Sequence, residues 1–174
     1  MENFADLYSD YLISSSSYAT STGMANLLSI KHDKITRELS NGDYDSKFLW
    51  KQSKVYVKEL TQSKELITLS FDDSIEEKRY TDESELHCWH FDHTFGKSVR
   101  GVNFLTALIE VGTMRLPCAV EFVKKDLWKK DPKTGKEKRK SSVSKNELFR
   151  KMLRECNGKF RFDYVLADSW YSSN

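Results

Sequence analysis

Two apolar segments of this chain run directly into aspartate residues, and this pattern constrains the fold more than any other feature. Residues 66–71 form an apolar, β-branched run that ends at Asp72 and Asp73. Residues 164–167 form a second run, which ends at Asp168. Carboxylates on rigid strand ends can lie close together when a divalent cation compensates their repulsion. The pattern therefore predicts a metal-dependent phosphoryl-transfer site, with all three aspartates as candidate metal ligands.

The length and composition of the chain limit the class of protein. Its 174 residues have room for one ordinary domain, or for one domain and a small helical appendage. No apolar run approaches the roughly 20 residues of a membrane span. The N-terminus lacks a signal-peptide core, and the three cysteines are scattered without paired spacing. We therefore expect a cytoplasmic protein without a membrane partner.

One segment concentrates positive charge, although the net charge of the chain is only +2. Residues 124–151 contain twelve basic and four acidic residues. Such basic runs bind phosphate backbones through counterion release, and a solvated, lysine-rich loop is the alternative interpretation. Pro132, Gly135 and the pair Ser141-Ser142 predict a loop in either case. The candidate DNA-binding residues of this segment are Lys129, Lys130, Lys138, Arg139 and Lys140.

Residues 1–62 are predicted to form a helical region. Helical spacing of apolar residues and capping residues predict four helices, at residues 4–13, 20–28, 32–39 and 46–60. The second and third, separated by a short turn, resemble a helix-turn-helix, whose second helix can enter a DNA major groove. Arg37 in the third helix is then a candidate DNA-binding residue. An ordinary small helical bundle is the alternative.

Residues 63–174 change to a strand-rich pattern. After the first strand, further strands are predicted at residues 101–110, 114–123 and 160–167, with a helix at 144–156. Gly112 predicts a hairpin between the second and third strands, and the crossover helix predicts a fourth strand parallel to the first. The order β-β-β-α-β predicts an α/β fold with a mixed sheet. It would also bring Asp72 and Asp168 together at the carboxyl ends of adjacent strands.

The two acidic segments, residues 71–78 and 165–171, resemble the first and second acidic motifs of bacterial insertion-sequence DDE transposases. Residues 89–93 and 101–106 are similar to the connecting region and second strand of that family, and residues 20–23 and 32–37 to its helical lead-in. The resemblance covers nearly the whole chain and implies a ribonuclease H-like catalytic domain. It also implies cleavage of double-stranded DNA by activated water and transfer of the freed 3′-hydroxyl to target DNA. Three carboxylates would hold Mg²⁺, for which Mn²⁺ can substitute.

The resemblance assigns roles to individual residues. Asp168 matches the second acid, and Asp72 matches the first, because the family pattern has an aspartate two residues before a hydroxyl residue, here Ser74. Asp73 is the alternative first acid, since strand alternation lets only one of the two neighbours face the metal. The third acid of the family is a glutamate on a later helix, and no glutamate follows Asp168.

The missing glutamate implies an N-terminal fragment of a transposase with little activity alone. Residues 1–62 would be its DNA-binding region, and residues 63–174 a truncated ribonuclease H-like domain. The expected partners are the DNA of the element ends and of the target, another copy of the chain, or the full-length transposase. Nucleoid association in a bacterial cytoplasm follows from the same resemblance.

Other interpretations stay open at this point. The chain could be a non-catalytic DNA-binding protein or a regulator derived from a transposase, or a nuclease of the same fold that never transposes. His87, Cys88, His90 and His93 are suitable zinc ligands, but they lack the separated second pair of a structural zinc motif. Trp170 and Tyr171 could stack on a flipped base or pack the strand end.

Overall fold

The structure, a computed structural model, describes residues 4–16, 18–78, 80–132 and 134–172. It divides into two compact units, Met1–Asp43 and Tyr44–Asn174. The five predicted helices are present as α1 (Phe4–Ser14), α2 (Ser21–Leu28), α3 (His32–Asn41), α4 (Ser46–Leu60) and α5 (Lys145–Asn157). Helix α4 lies in the same unit as the strands, whereas the sequence grouped it with the first three helices.

The first unit is built around the pair of helices α2 and α3. The Thr20 hydroxyl accepts a hydrogen bond from the Gly23 amide (3.0 Å) and caps α2. Ser29 ends α2 in the left-handed conformation (φ 53°), which lets its amide bond back to the helix. Met24 and Ile35 are buried between the helices, and α3 exposes a polar surface. The predicted helix–turn–helix succession is therefore present.

The second unit contains one main sheet of five strands, β1 (Ile67–Glu77), β2 (His87–Asp92), β3 (Lys97–Val111), β4 (Met114–Phe122) and β7 (Tyr164–Leu166). Their order is β2–β3–β1–β7, and β4 also pairs with β3. Strand β3 is antiparallel to β1, β2 and β4, and β7 is parallel to β1. Gly112 makes the predicted β3–β4 turn with a positive φ of 58°. The predicted mixed α/β sheet, with its hairpin and its parallel last strand, is confirmed.

Three strands were not predicted. Strand β2 was interpreted as a connector from the family resemblance. In the structure it buries His87 and His90 and exposes Trp89 and Phe91, the reverse of the usual amphipathic pattern. The predicted basic loop is instead a two-stranded hairpin of β5 (Leu127–Lys130) and β6 (Glu137–Lys140). Its lysine-rich strands have low β propensity, and cross-strand pairing stabilises them. The order β-β-β-α-β therefore lacks β2 and this hairpin.

One face of the main sheet holds the hydrophobic core. Ile67, Leu69 and Phe71 alternate along β1 and pack with Val57 of α4 and Met152 of α5. Opposite-face positions of β1 and β3 are more polar, so the sheet is apolar on one side. Within the described ranges, no helix is long and apolar enough to cross a membrane.

Candidate active site

Strand β1 carries Asp72 and Asp73 directly after its buried run. Because side chains alternate between the two faces of a strand, Asp73 shares the face of Leu69 and Phe71. Asp72 lies on the opposite face and is exposed. Its position is held by the antiparallel pairing of Asp72 with Thr106 of β3. The neighbouring acids therefore have different surroundings.

Strand β7 brings the third aspartate to the same end of the sheet. Ser70 of β1 lies opposite Leu166 of β7 in the parallel pairing. The β7 ladder ends at this pair, two residues before Asp168, and Asp72 lies two residues beyond Ser70 on β1. Asp72 and Asp168 therefore follow the same end of the parallel pair.

Two hydrogen bonds at the start of β7 fix this register. The Asp163 amide donates to the Ile67 carbonyl oxygen (2.8 Å), and the Ile67 amide donates to Asp163 Oδ2 (2.9 Å). Strand β7 has only three residues, so these bonds add to a short ladder. They hold the segment that leads to Asp168 against the first strand.

Asp168 begins a short 3₁₀ turn, Ser169–Ser172. Its Oδ1 accepts hydrogen bonds from the Trp170 amide (2.8 Å) and from the Ser169 hydroxyl (3.3 Å). The side chain is exposed. The two hydrogen bonds of Oδ1 therefore orient an exposed carboxylate.

Asp73 is already engaged by two protein groups. It forms an ion pair with the ammonium group of Lys145, in the first turn of α5, and accepts a hydrogen bond from the Tyr171 hydroxyl (3.3 Å). Burial, with the charges of Asp73, Asp72 and Asp168, raises the pKa of Tyr171 above its usual range. The three carboxylates therefore act on one phenol group, which stays protonated and donates.

The aromatic pair after Asp168 has two different environments. Tyr171 is only 6% exposed and packs against Phe149, with ring centroids 5.0 Å apart. Tyr171 therefore packs the strand end and is not accessible for stacking on a base. Trp170 is exposed and meets Tyr171 edge to face at 5.1 Å.

The three aspartates line one open cavity of about 970 Å³. The cavity also contains polar and charged groups from β2, β3 and α5. The groups that matter most for its chemistry are Asp72, Asp73, Asp168, Asn103, His90 and Lys145. A cavity of this size, with convergent polar groups at the carboxyl ends of adjacent parallel strands, is a candidate catalytic site.

Asn103 contributes an unsatisfied oxygen to this cavity. Its side chain on β3 is 1% exposed, and its Oδ1 has no hydrogen-bond partner among the described residues. Such an atom costs roughly 1–3 kcal/mol unless a water or an ion occupies the space beside it. Asn103 therefore supplies a preformed oxygen donor at the site.

His90 stays neutral beside the acids. Burial, followed by the charges of Lys125, Lys145 and His87, lowers its pKa from 6.5 to about 4. Its Nε2 lies 3.4 Å from the Cys88 sulfur. A neutral imidazole adds no positive charge to a cavity that Lys145 already makes less negative.

The donor set of the cavity suits a hard divalent cation. Carboxylate oxygens are ligands that Mg²⁺ and Mn²⁺ prefer, and Asp72 and Asp168 supply them, whereas the Asn103 amide lies on the sheet face of Asp73. Among the described residues, however, no three side chains of histidine, cysteine, aspartate or glutamate are grouped so that they could hold a metal ion. The residues fit the cation in chemistry and provide only part of its coordination.

The candidate zinc ligands have other partners. The two ring nitrogens of His87 lie 2.9 Å and 2.7 Å from the carbonyl oxygens of Asp82 and Lys78. Cys88 is buried and its sulfur contacts His90. His93 is exposed at the end of β2 and packs its ring against Phe91. These contacts account for the four residues without a zinc ion.

The candidate DNA-binding residues lie in both units. Arg37 is exposed on α3 in the first unit. The other five lie on the β5–β6 hairpin, where alternation puts Lys129, Lys138 and Lys140 on one face and Lys130 and Arg139 on the other.

Some functional candidates were missed by reasoning from sequence. Lys145 was counted only as part of the basic run, although the N-cap residue Ser144 marks the helix end that faces the acids. Asn103 had a clearer signal, since it is a polar residue at an inward position of an otherwise apolar strand. Its missing partner could be seen only in three dimensions.

Comparison with known proteins agrees with this geometry. The family model described as "DDE superfamily endonuclease" matches residues 2–174. No curated protein and no solved structure matches the chain. A match over nearly the full length shows that the chain belongs to the DDE superfamily endonuclease family.

Proposed function

We propose that this chain is a transposase-type endonuclease, of the kind encoded by bacterial insertion sequences, in which Asp72 and Asp168 hold a divalent metal ion against DNA. The observation that supports the proposal is that Asp72 and Asp168, which follow the paired ends of β1 and β7, line one cavity. Endonucleases of this superfamily generally use divalent metals, and DNA is the substrate that the family implies. We propose Mg²⁺ as the ion, with Mn²⁺ as a substitute.

The side chains around the cavity have distinct roles in this proposal. A bound divalent ion would lower the pKa of a water molecule and stabilise the leaving oxygen of the phosphodiester. Asp72 and Asp168 hold that ion. The ion pair with Lys145 and the hydrogen bond from Tyr171 engage Asp73 and keep it out of the coordination shell.

The β5–β6 hairpin supplies the contacts to the DNA backbone. Lys129 and Lys138 lie directly opposite each other in the hairpin, and like charges at such positions are destabilising. A phosphate between them removes the repulsion, while the ion pair of Lys138 with Asp131 compensates only one of the two charges. We propose that Arg37 on α3 contributes a separate DNA contact.

The incomplete metal coordination supports a second candidate function. Because the described residues contain no group of three metal-binding side chains, we propose that residues 1–174 alone bind DNA but cut it slowly or not at all. A further carboxylate from a full-length transposase, or from another copy, would complete the site. Without that completion, the chain acts as a DNA-binding regulator that occupies the sites of an active transposase.

Three measurements on the purified chain test the proposal. Electron paramagnetic resonance of free Mn²⁺ should show binding that Asp168→Asn weakens about tenfold, because a charged oxygen ligand is lost. Fluorescence anisotropy should show binding to a labelled DNA duplex of mixed sequence. Replacing Lys129, Lys138 and Lys140 by Gln should lower the salt-dependence slope of that binding by about 2–3.

A matched control shows whether the effect comes from the position of the three lysines or only from the loss of three positive charges. Replacing Lys47, Lys51 and Lys58, three exposed lysines on α4, by Gln should leave that slope nearly unchanged. If Asp168→Asn leaves the Mn²⁺ affinity unchanged, the proposed metal site is refuted. DNA cleavage by residues 1–174 that depends on Asp168 would refute the regulator and confirm the endonuclease.

A further inference from the structure

A second cavity, of about 700 Å³, lies between β2 and the β5–β6 hairpin. We call it the β2–hairpin groove. The residues that define it here are Trp89, Phe91, Trp128, Lys138, Arg139 and Lys140. His90, Phe91, Lys125 and Ser141 line both this groove and the cavity of the three aspartates. The two cavities therefore adjoin, and a ligand chain can pass from one to the other.

Three large aromatic side chains are exposed in the groove. Trp89 is 56% exposed, Phe91 is 53% exposed and Trp128 is 56% exposed. Trp89 and Phe91 lie two residues apart on β2 and so project to the same side of that strand. Exposed aromatic rings that share one concave surface are unusual for a protein in water, and they mark a binding surface.

The groove holds its aromatic rings in defined positions. The Arg139 guanidinium lies 4.4 Å from the centre of the Trp128 ring and covers one of its faces. Arg139 is itself held by Glu83 (3.2 Å) and by the Lys125 carbonyl oxygen (3.3 Å). The Lys125 ammonium group bonds to the Trp89 carbonyl oxygen on the outer edge of β2. Preorganised rings lose little entropy when a flat ligand stacks on them.

The charge of the groove favours an anionic ligand. Lys125, Lys138, Arg139 and Lys140 line it, against the two acidic residues Glu83 and Glu137. The ligand should therefore combine flat aromatic groups with regularly spaced negative charges. Nucleotides have both, but the faces of paired bases are covered in a duplex, so only unpaired bases can stack on the groove.

We propose that the β2–hairpin groove binds unpaired nucleotides of the DNA strand that enters the cavity of Asp72 and Asp168. Bases stack on Trp89 and Trp128, and the phosphates contact the basic residues that line the groove. The inference that the bound DNA strand continues into the cavity of Asp72 and Asp168 rests on the proposed endonuclease function. The binding of single-stranded DNA by the groove does not rest on it, because none of the stacking or phosphate contacts uses the aspartates.

The test compares single-stranded and duplex DNA in the presence of EDTA, so that a metal site contributes nothing. The probes are a fluorescein-labelled oligothymidylate of about ten nucleotides and a duplex of the same length, measured by anisotropy. Trp89→Ala and Trp128→Ala should each lower the affinity for the oligothymidylate about tenfold and leave the duplex affinity within about twofold. Trp128→Phe, which keeps an aromatic face, should retain most of the affinity.

Tyr56→Ala is the matched control, since Tyr56 is an exposed aromatic residue on α4 and outside the groove. It should leave both affinities unchanged. The proposal is overturned if neither tryptophan substitution weakens single-strand binding, or if single-strand and duplex binding fall equally. If Mn²⁺ binding proves independent of Asp168 while the tryptophan effects persist, the endonuclease proposal fails and the groove remains a single-strand site.

Discussion

Lys145 of α5 forms an ion pair with Asp73 of β1, 72 residues away in the sequence. The pair lies at the point where the first turn of the crossover helix meets the end of the first strand. It neutralises one of the two adjacent aspartates and leaves Asp72 without a basic partner of this kind in the described part of the chain. The helix therefore gives the two neighbouring acids different electrostatic surroundings.

The first prediction concerns the choice between Asp72 and Asp73. Asp72→Asn should weaken Mn²⁺ binding about tenfold, because it removes a charged oxygen from the cavity that Asp168 also lines. Asp73→Asn should change it by less than about threefold, since Lys145 already compensates that charge. Electron paramagnetic resonance of free Mn²⁺ measures both. The opposite order of effects would assign the metal to Asp73.

The second prediction concerns the Lys145–Asp73 pair itself. Both side chains are partly buried, so Lys145→Met leaves an uncompensated carboxylate and should lower the free energy of unfolding by about 1–2 kcal/mol. Lys145→Arg should recover most of the loss. Urea unfolding of Lys145→Met, of Asp73→Asn and of the variant with both substitutions gives the coupling energy of the pair. A coupling energy near zero would show that the pair adds nothing to stability.

The third prediction is a loss of stability in mild acid. The pKa of His90 is lowered from 6.5 to about 4 by burial and by the charges of Lys125, Lys145 and His87, so the unfolded chain takes up its proton first. This contribution is complete above pH 6.5 and should fall as the pH drops toward 4. His90→Gln should flatten the pH profile of urea unfolding over that range.

His93→Gln replaces an exposed histidine three residues away and serves as the control. It should keep most of the pH profile of the unmodified chain. A profile that is equally steep in the His90→Gln protein would show that other groups cause the acid sensitivity.

The fourth prediction tests the junction of three strands at Gly101. This residue pairs with Glu77 of β1 and Cys88 of β2, and a Cβ there would lie 2.2 Å from the Glu76 carbonyl oxygen. Gly101→Ala must displace backbone and should cost about 2–4 kcal/mol in urea unfolding. Gly96→Ala is the comparison, because its Cβ meets nothing within 4 Å.

Gly96 has a positive φ of 61°, so its replacement by alanine should cost only about 1 kcal/mol through backbone strain. Equal destabilisation by the two substitutions would contradict the close approach at Gly101. A larger loss at Gly101 would show that the β1–β3 spacing, and with it the position of Asp72, depends on the absence of a side chain.

Local patterns were sufficient for much of the fold. Helical spacing and capping residues such as Thr20 predicted all five helices within about two residues, because both signals act inside one helix. Alternation and the glycine turn at Gly112 predicted the β3–β4 hairpin in the same way. The crossover rule then placed β7 beside β1.

The same local rules failed where long-range contacts stabilise an element. Strand β2 exposes Trp89 and Phe91 and buries histidines, so its pattern resembles a polar connector until its pairing with β3 is known. The lysine-rich hairpin lacks an apolar face of its own. The contact between Trp128 and Arg139 adds to its cross-strand pairing.

By itself, the sequence determined the family resemblance, the helices, four of the strands and the expected approach of Asp72 and Asp168. These follow from periodicity, from turn chemistry and from motifs that are local in the chain. Only the tertiary structure decided that Lys145 occupies Asp73, that the Asn103 oxygen has no protein partner, and that aromatic residues of β2 and the hairpin form a groove beside the acids. The physical reason is distance along the chain, because each of these relationships joins segments whose separate sequences carry no information about their contact.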